Sequence, residues 1–187
     1  LAFAGSLRKE SYNKKLVKIA IEGAEKGGAQ VTYIDLKDYP LPLYDQDYEE
    51  ISGIPENALK LKVLMSQSDG FIIASPEYNG SFSAALKNMI DWTSRKASEE
   101  EKNLSCFVDK WALLLSASPS ELGGSRGLVH LRALLTSIYM FVMPKQKCIG
   151  RAYEAFDENG QLKKEEDQKS VQALAKQFAE MVQKIKK

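Results

Sequence analysis

The chain has 187 residues, 44% of them hydrophobic and 27% charged, with a formal net charge of +1. That length and balance suit one soluble domain with a sizeable core, and they leave no strong field to attract nucleic acid or an anionic membrane. No apolar run reaches the length of a membrane span, no signal-peptide pattern is present, and two distant cysteines, Cys106 and Cys148, stand in no metal-ligand spacing, all of which points to a reduced, cytoplasmic protein.

Short apolar runs alternate with helical patterns along the whole chain, the signature of an α/β protein with a parallel sheet. Leu1–Ala4 reads as a first strand ending at Gly5; its abrupt start suggests native residues ahead of it. A helix is expected over 13–26, with Leu16, Val17, Ala20 and Ala24 inward and Gly27-Gly28 as its stop. A second strand is expected over 30–36, then a polar, Pro-rich loop over 37–53 whose acids Asp45, Asp47, Glu49 and Glu50 lack metal-ligand spacing. Pro55 opens a helix running to Ser68, and the continuously apolar Gly70–Ser75 predicts a strand covered on both faces. A helix over 84–95 and a charged loop over 96–103 lead to a fourth strand, Trp111–Ser116. A helix over 125–139 follows, with Leu128, Leu131, Leu135 and Ile138 inward and the lone histidine, His130, read as a surface or interface side chain. The fifth strand lies within 141–149, interrupted by Pro144. The last helix, over 167–184, buries Val171, Leu174, Ala175, Phe178, Val182 and Ile185, and Lys184, Lys186 and Lys187 complement its carboxyl end. Five strands with intervening helices make a doubly wound sheet, which binds ligands beyond the carboxyl ends of its strands at the topological switch point.

Three of those carboxyl ends carry unusual loops. Gly5–Asn13 offers hydroxyls at Ser6 and Ser11, an amide at Asn13, the cation of Arg8, and the free N–H groups of a helix start, so it can receive an anion; a capped helix with a solvated Arg8 is the other reading. It lacks both the Walker A lysine and the G-x-G-x-x-G glycines, which points to a single terminal phosphate. In Ser75–Ser81, Pro76 stiffens the exit, Tyr78 offers a plane, Gly80 allows close approach, and N–H groups around Asn79–Ser81 suit the electron-rich edge of a heterocycle such as a flavin. A simple Pro/Gly turn into the next helix accounts for Pro76 and Gly80 but not for Tyr78 and Asn79. Ser116–Gly127 is the third wall, with Ser116, Ala117 and Ser118 as contacts and Arg126 facing a cofactor, a partner subunit or solvent.

The run Ser75-Pro76-Glu77-Tyr78-Asn79-Gly80-Ser81, continued by Ala85-Leu86-Lys87-Asn88-Met89-Ile90-Asp91-Trp92, closely resembles the signature of the NADPH-dependent FMN reductase family. The Gly5–Asn13 loop resembles that family's phosphate loop, and Leu41–Asp45 and Ala155–Asp157 extend the likeness over nearly the whole chain. Pro119 and Glu121 depart from the glycine-rich third loop of that family. The resemblance implies one flavodoxin-like, three-layer domain over 1–187 with noncovalent FMN. It implies that Ser6, Arg8, Ser11 and Asn13 hold the phosphate, that Pro76, Glu77, Tyr78, Asn79 and Gly80 hold the ring, largely through backbone, and that Tyr12 and Ser81 are further cofactor contacts. It further implies ping-pong transfer from NADPH or NADH to a small-molecule acceptor (a quinone, azo compound, free flavin or metal oxyanion), no indispensable side-chain acid, base, nucleophile or metal, and a homodimer or homotetramer. A flavodoxin-type electron carrier is the alternative, although flavodoxins tend to be more acidic and to use Thr-rich phosphate loops.

Overall fold

The computed structural model describes residues 1–185, so Lys186 and Lys187 of the basic tail lie outside the described residues. Strand β1 (Ala2–Ala4) pairs in parallel with β2 (Tyr33–Asp35) on one side and β3 (Gly70–Ala74) on the other. β3 pairs in parallel with the strand at Trp111–Ala117, which is β6 once the hairpin strands β4 (Glu77–Tyr78) and β5 (Ser81–Phe82) are counted. Beyond β6 lie β7 (Phe141–Val142) and β8 (Lys147–Ile149), both parallel to it. The order β2-β1-β3-β6, closed by β7 and β8, is that of a flavodoxin-like sheet.

Alternation along the central strands divides the core in two. Ile72, Ala74, Leu113 and Leu115 face helices α1 (Tyr12–Lys26) and α7 (Glu165–Ile185). Phe71, Ile73, Ala112 and Leu114 face α3 (Glu56–Ser66), α4 (Ala84–Thr93) and α5 (Ser125–Ser137). Ser11 caps α1, its Oγ accepting from Asn13 N–H, and Gly27 ends the helix by donating to Gly23 and Ala24 carbonyls. α1 and α7 approach closely: a Cβ added at Gly23 would stand 2.2 Å from the Gln172 carbonyl oxygen.

The structure corrects several sequence expectations. β2 is confined to Tyr33–Asp35, because pairing with β1 starts at Ala2↔Tyr33 and Gln30–Thr32 have no ladder. The expected loop over 37–53 contains a 3-10 turn at Leu36–Asp38 and a helix, α2 (Gln46–Ser52). α2 buries no residue, so it has no apolar stripe to read; the Asp45 cap, a Tyr48–Trp92 edge contact and Glu49 bonds to Tyr44 and Arg95 hold it instead. Pro55 caps α3 rather than opening it, and α4 ends at Thr93, short of Arg95. The fifth sheet position is split at Pro144, where Arg132 donates to the carbonyls of Val142, Met143 and Pro144 at 2.9–3.3 Å. A further short helix, α6 (Ala152–Ala155), follows β8; α7 starts at Glu165, and Ile185 is exposed. No helix among the described residues is long and apolar enough to cross a membrane.

The charged loop after α4 is anchored by a nearly buried cation. Lys62 Nζ donates to the carbonyls of Thr93 (3.2 Å) and Arg95 (2.5 Å) and pairs with Glu101 at 2.8 Å. Burial pushes the Glu101 carboxyl up, but Lys62, the Ser105 hydroxyl and the Ala97 N–H outweigh it and bring it to about 2 from 4.5. Because the folded value is depressed, this contribution is complete above about pH 4.5 and is lost as pH falls toward 2. Lys62→Met leaves Glu101 with a partly buried, uncompensated charge, and urea unfolding at pH 7 is expected to show a loss of about 2–3 kcal/mol that shrinks in acid.

Candidate functional site

The strands end together. Ala4 is in register with Ala74, and Ala74 with Leu115, while Gly5 N–H donates to Ala74 O and Ser75 N–H to Leu115 O, each at 2.9 Å. The loops after β1, β3 and β6 therefore leave from one edge. Chain order reverses there, because β1 is flanked by β2 on one side and β3 on the other.

In the first loop, the Ser6 hydroxyl oxygen accepts from Arg8 N–H at 3.3 Å and the Ser11 hydroxyl oxygen from Asn13 N–H at 3.2 Å. Both hydroxyls act there as acceptors, which leaves their O–H hydrogens able to serve a further acceptor. No acidic residue lies in the first turn of α1, so the positive end of its dipole is not neutralised from within the helix. Arg8 is exposed, donates to Glu10 O, and lies 5.1 Å from the centroid of the Tyr12 ring. Two hydroxyls, one guanidinium and a helix start form a donor set that fits a phosphate. Asn13 is spent differently: its Nδ2 donates to Ala117 O and its Oδ1 accepts from Ala117 N, both at 2.9 Å. It braces α1 against the end of β6.

The second loop is a β-hairpin, a form that the sequence reading of it as a flavin-facing loop did not specify. Glu77 pairs with Phe82 and Tyr78 with Ser81, leaving Asn79 (φ 52°) and Gly80 (φ 80°) as a two-residue connection. Positive φ at both central positions is what a type I′ turn demands, and Asn-Gly is the dipeptide that supplies it, so the signal was present in the sequence. A Cβ added at Gly80 would meet nothing within 4 Å, so the turn backbone faces open space. Tyr78 is 54% exposed beside it, whereas Pro76 is buried at the base. An open hairpin backbone with an adjoining ring fits the edge of a flat heterocycle.

The Glu77 side chain is only 5% exposed. Its Oε2 accepts from Gly127 N–H at 3.0 Å, and its Oε1 from Arg126 Nε at 2.9 Å and a terminal guanidinium nitrogen at 2.6 Å. Burial pushes this carboxyl up, but the Gly127 N–H and the Arg126 guanidinium outweigh it and hold the group below its ordinary value. Arg126 thus pairs with the hairpin and ties it to the start of α5.

In the third loop, Ser116 is fully buried and donates to Ser75 O at 2.7 Å, while Ala117 is engaged by Asn13. Ser118 is 8% exposed, and its hydroxyl oxygen accepts from Ser120 N–H at 3.3 Å. Around Pro119 the path is set by the end of β8 and the segment after it: Ser118 N donates to Ile149 O, Arg151 N to Ser120 O, and Ala152 N to Ser118 O. Gly124 must stay a glycine, since it has φ 87° and an added Cβ would lie 2.0 Å from Ser116 Oγ. Ser83, which no site argument singled out, caps α4 and donates to Gly5 O, joining the first and second loops. A serine directly ahead of an apolar helical run is a readable cap, but its bond to Gly5 is not.

His130 is exposed on α5, and both cysteines are free, with burial and then the nearby Glu77 pushing the Cys148 thiol up. A cavity of about 500 Å³, bordered by Leu1, Gly28, Asp69 and Phe178, lies at the opposite, amino ends of the strands. The converging polar groups of the three loops lie instead at the carboxyl ends.

The family model described as NADPH-dependent FMN reductase matches residues 1–154. A probable NADPH:quinone oxidoreductase 2 of Oryza sativa subsp. japonica is 34% identical over 166 residues, spanning 86% of this chain and 77% of the rice protein. An NAD(P)H-dependent FMN reductase of Pseudomonas aeruginosa is 34% identical over 165 residues, spanning 87% and 83%. The solved structure of FerB, a flavoenzyme NAD(P)H:(acceptor) oxidoreductase of Paracoccus denitrificans, aligns with a TM-score of 0.78 at 28% identity over 98% of this chain and 96% of that one. The flavodoxin-like sheet, the phosphate-type first loop and the match over residues 1–154 agree: the chain belongs to the NADPH-dependent FMN reductase family and is an NAD(P)H-dependent oxidoreductase with FMN as its cofactor.

Proposed function

We propose that this enzyme oxidises NADPH or NADH in one half-reaction and reduces a small acceptor in the other, with a quinone as the first candidate and azo compounds, free flavin and metal oxyanions as further ones. The observation that carries this reading is the phosphate-type donor set and the open hairpin at one sheet edge, flanking the switch point. Quinone reduction takes first place because the rice relative is named for it.

In this reading Ser6 and Ser11 donate their hydroxyl hydrogens to the FMN phosphate. Arg8 supplies charge-assisted hydrogen bonds, and Tyr12 N–H lies at the helix start. Pro76, Glu77, Tyr78, Asn79, Gly80 and Ser81 present the hairpin backbone to the pyrimidine side of the ring, where fixed N–H dipoles favour added negative charge. Ser118 lines the opposite wall, while Asn13, Ser116 and Ala117 serve the site by locking its walls together. Bound FMN supplies the capacity to take a hydride from a nicotinamide and to release electrons to the acceptor. The protein's part is position and electrostatics, with no side-chain acid, base or nucleophile assigned.

The reading treats residues 1–187 as one flavodoxin-like domain, supported by a continuous sheet with helices on both faces. It places the enzyme in the cytoplasm, in keeping with two unpaired cysteines. It makes the enzyme a homodimer or homotetramer, for which Leu43 and Ile51, 81% and 86% exposed, offer apolar surface. The test is nicotinamide absorbance with FMN-loaded protein, NADPH or NADH, and a panel of benzoquinone, an azo dye, chromate and free FMN. Oxidation well above the enzyme-free blank is expected with benzoquinone; no oxidation with any acceptor sinks the reading.

A further inference from the structure

Beyond residue 154, where the family match ends, the chain turns back onto the first loop. After α6, Phe156 bridges to Leu162, Gln161 N–H donates to Asp157 Oδ1 at 2.8 Å, and Lys163 N–H donates to Ala155 O at 2.9 Å. This closed turn is tied to α7 through Leu162 N–H and Gln168 Oε1 at 3.0 Å. It meets the first turn of α1 twice. The Phe156 ring stacks on Tyr12 with centroids 5.7 Å apart and planes at 17°, and a Cβ added at Gly160 would touch the Lys15 side chain at 3.4 Å. The same Tyr12 ring carries the Arg8 guanidinium at 5.1 Å.

We propose that Phe156 is a positioning residue for FMN: by stacking on Tyr12 it fixes the ring against which Arg8 is poised, and so prepares Arg8 for the phosphate. Packing alone accounts for the burial of Phe156, which is 6% exposed, but not for an exposed arginine resting on the ring that Phe156 supports. A free arginine loses rotamer entropy when it clamps a ligand. An arginine already held by Glu10 O and the Tyr12 face loses less on binding, and the difference appears as affinity. The inference rests on the phosphate role proposed for Arg8, and the experiment separates the two.

FMN and riboflavin dissociation constants, read by flavin fluorescence, are compared in wild type, Phe156→Leu, Phe156→Tyr, Arg8→Ala and the Arg8→Ala/Phe156→Leu double variant. Leucine keeps an apolar group in the slot and removes the stacking ring. Phe156→Leu is expected to weaken FMN about fivefold to tenfold, as loss of one stacked pair and its cation contact implies. Riboflavin, which has no phosphate, is expected to bind as to wild type. Phe156→Tyr restores FMN affinity, and the double variant is no weaker than Arg8→Ala alone. Unchanged FMN affinity in Phe156→Leu, or equal loss for both flavins, overturns the proposal and leaves the phosphate site standing. Unchanged FMN affinity in Arg8→Ala overturns both. If circular dichroism shows Phe156→Leu unfolded, Tyr12→Leu reads the same coupling from the other ring, with the same two outcomes deciding.

Discussion

Arg8→Ala raises the FMN dissociation constant about tenfold to a hundredfold, the loss expected when a charge-assisted contact of about 1.5–3 kcal/mol is removed. The thermal midpoint of the apoprotein stays where it is, because Arg8 is exposed and bonds only within its own loop and to the Tyr12 ring. The split between affinity and stability is what identifies a ligand contact. The loss also shrinks with added salt, since a surface charge pair is screened over about 8 Å at physiological ionic strength. Titration of the apoprotein with FMN at two salt concentrations, beside a melting curve, measures all three effects. Unchanged affinity removes Arg8 from the phosphate site and returns the first loop to the role of a plain helix cap.

Glu77→Gln acts on both stability and the cofactor. The carboxylate receives the Gly127 N–H and the Arg126 guanidinium while nearly buried, so it joins the hairpin to α5. The amide keeps the shape but surrenders the charge-assisted bonds and turns an N–H toward donors that need an acceptor. A loss of about 2 kcal/mol in urea unfolding at pH 7 is expected. The pH profile carries the signature. Glu77 titrates below 4.5 in the folded protein, so its contribution is complete above that value and disappears as pH falls through the lowered folded value. Wild type and variant therefore differ most near neutrality and converge in acid. FMN affinity is expected to fall as well, because the hairpin proposed to face the ring loses its tie. A constant stability gap across pH 2–7 would falsify this role for the ionised carboxylate.

The loops were readable because their chemistry is local. Ser6, Arg8 and Ser11 stand close in sequence after an apolar strand, and the Pro76–Ser81 run concentrates a rigid exit, a ring and an Asn-Gly turn within a few residues. Central strands were readable for a related reason: β3 and β6 are covered on both faces and so are apolar at nearly every position. α2 was not, since a helix that buries nothing carries no periodic signal. Asn13 and Ser116 looked like ligand groups because an amide and a hydroxyl at a strand end suit either a ligand or a brace. Only the position of Ala117 and of the Ser75 carbonyl shows them bracing.

By itself, then, the sequence determined the alternation of strands and helices, the strands that could be central, and the polar loops at their carboxyl ends that are proposed to face the cofactor. Those properties follow from hydrophobic period and from polar groups grouped within one turn of chain. The tertiary structure alone decided which polar groups are engaged by the protein itself. Asn13 is spent on a residue 104 positions away, Ser83 on one 78 away and Glu77 on one 50 away. Phe156 reaches Tyr12 from beyond the family match. A buried polar group takes whichever partner the fold places within hydrogen-bond distance, and that partner is chosen by sheet order and helix packing, over separations that no local pattern encodes.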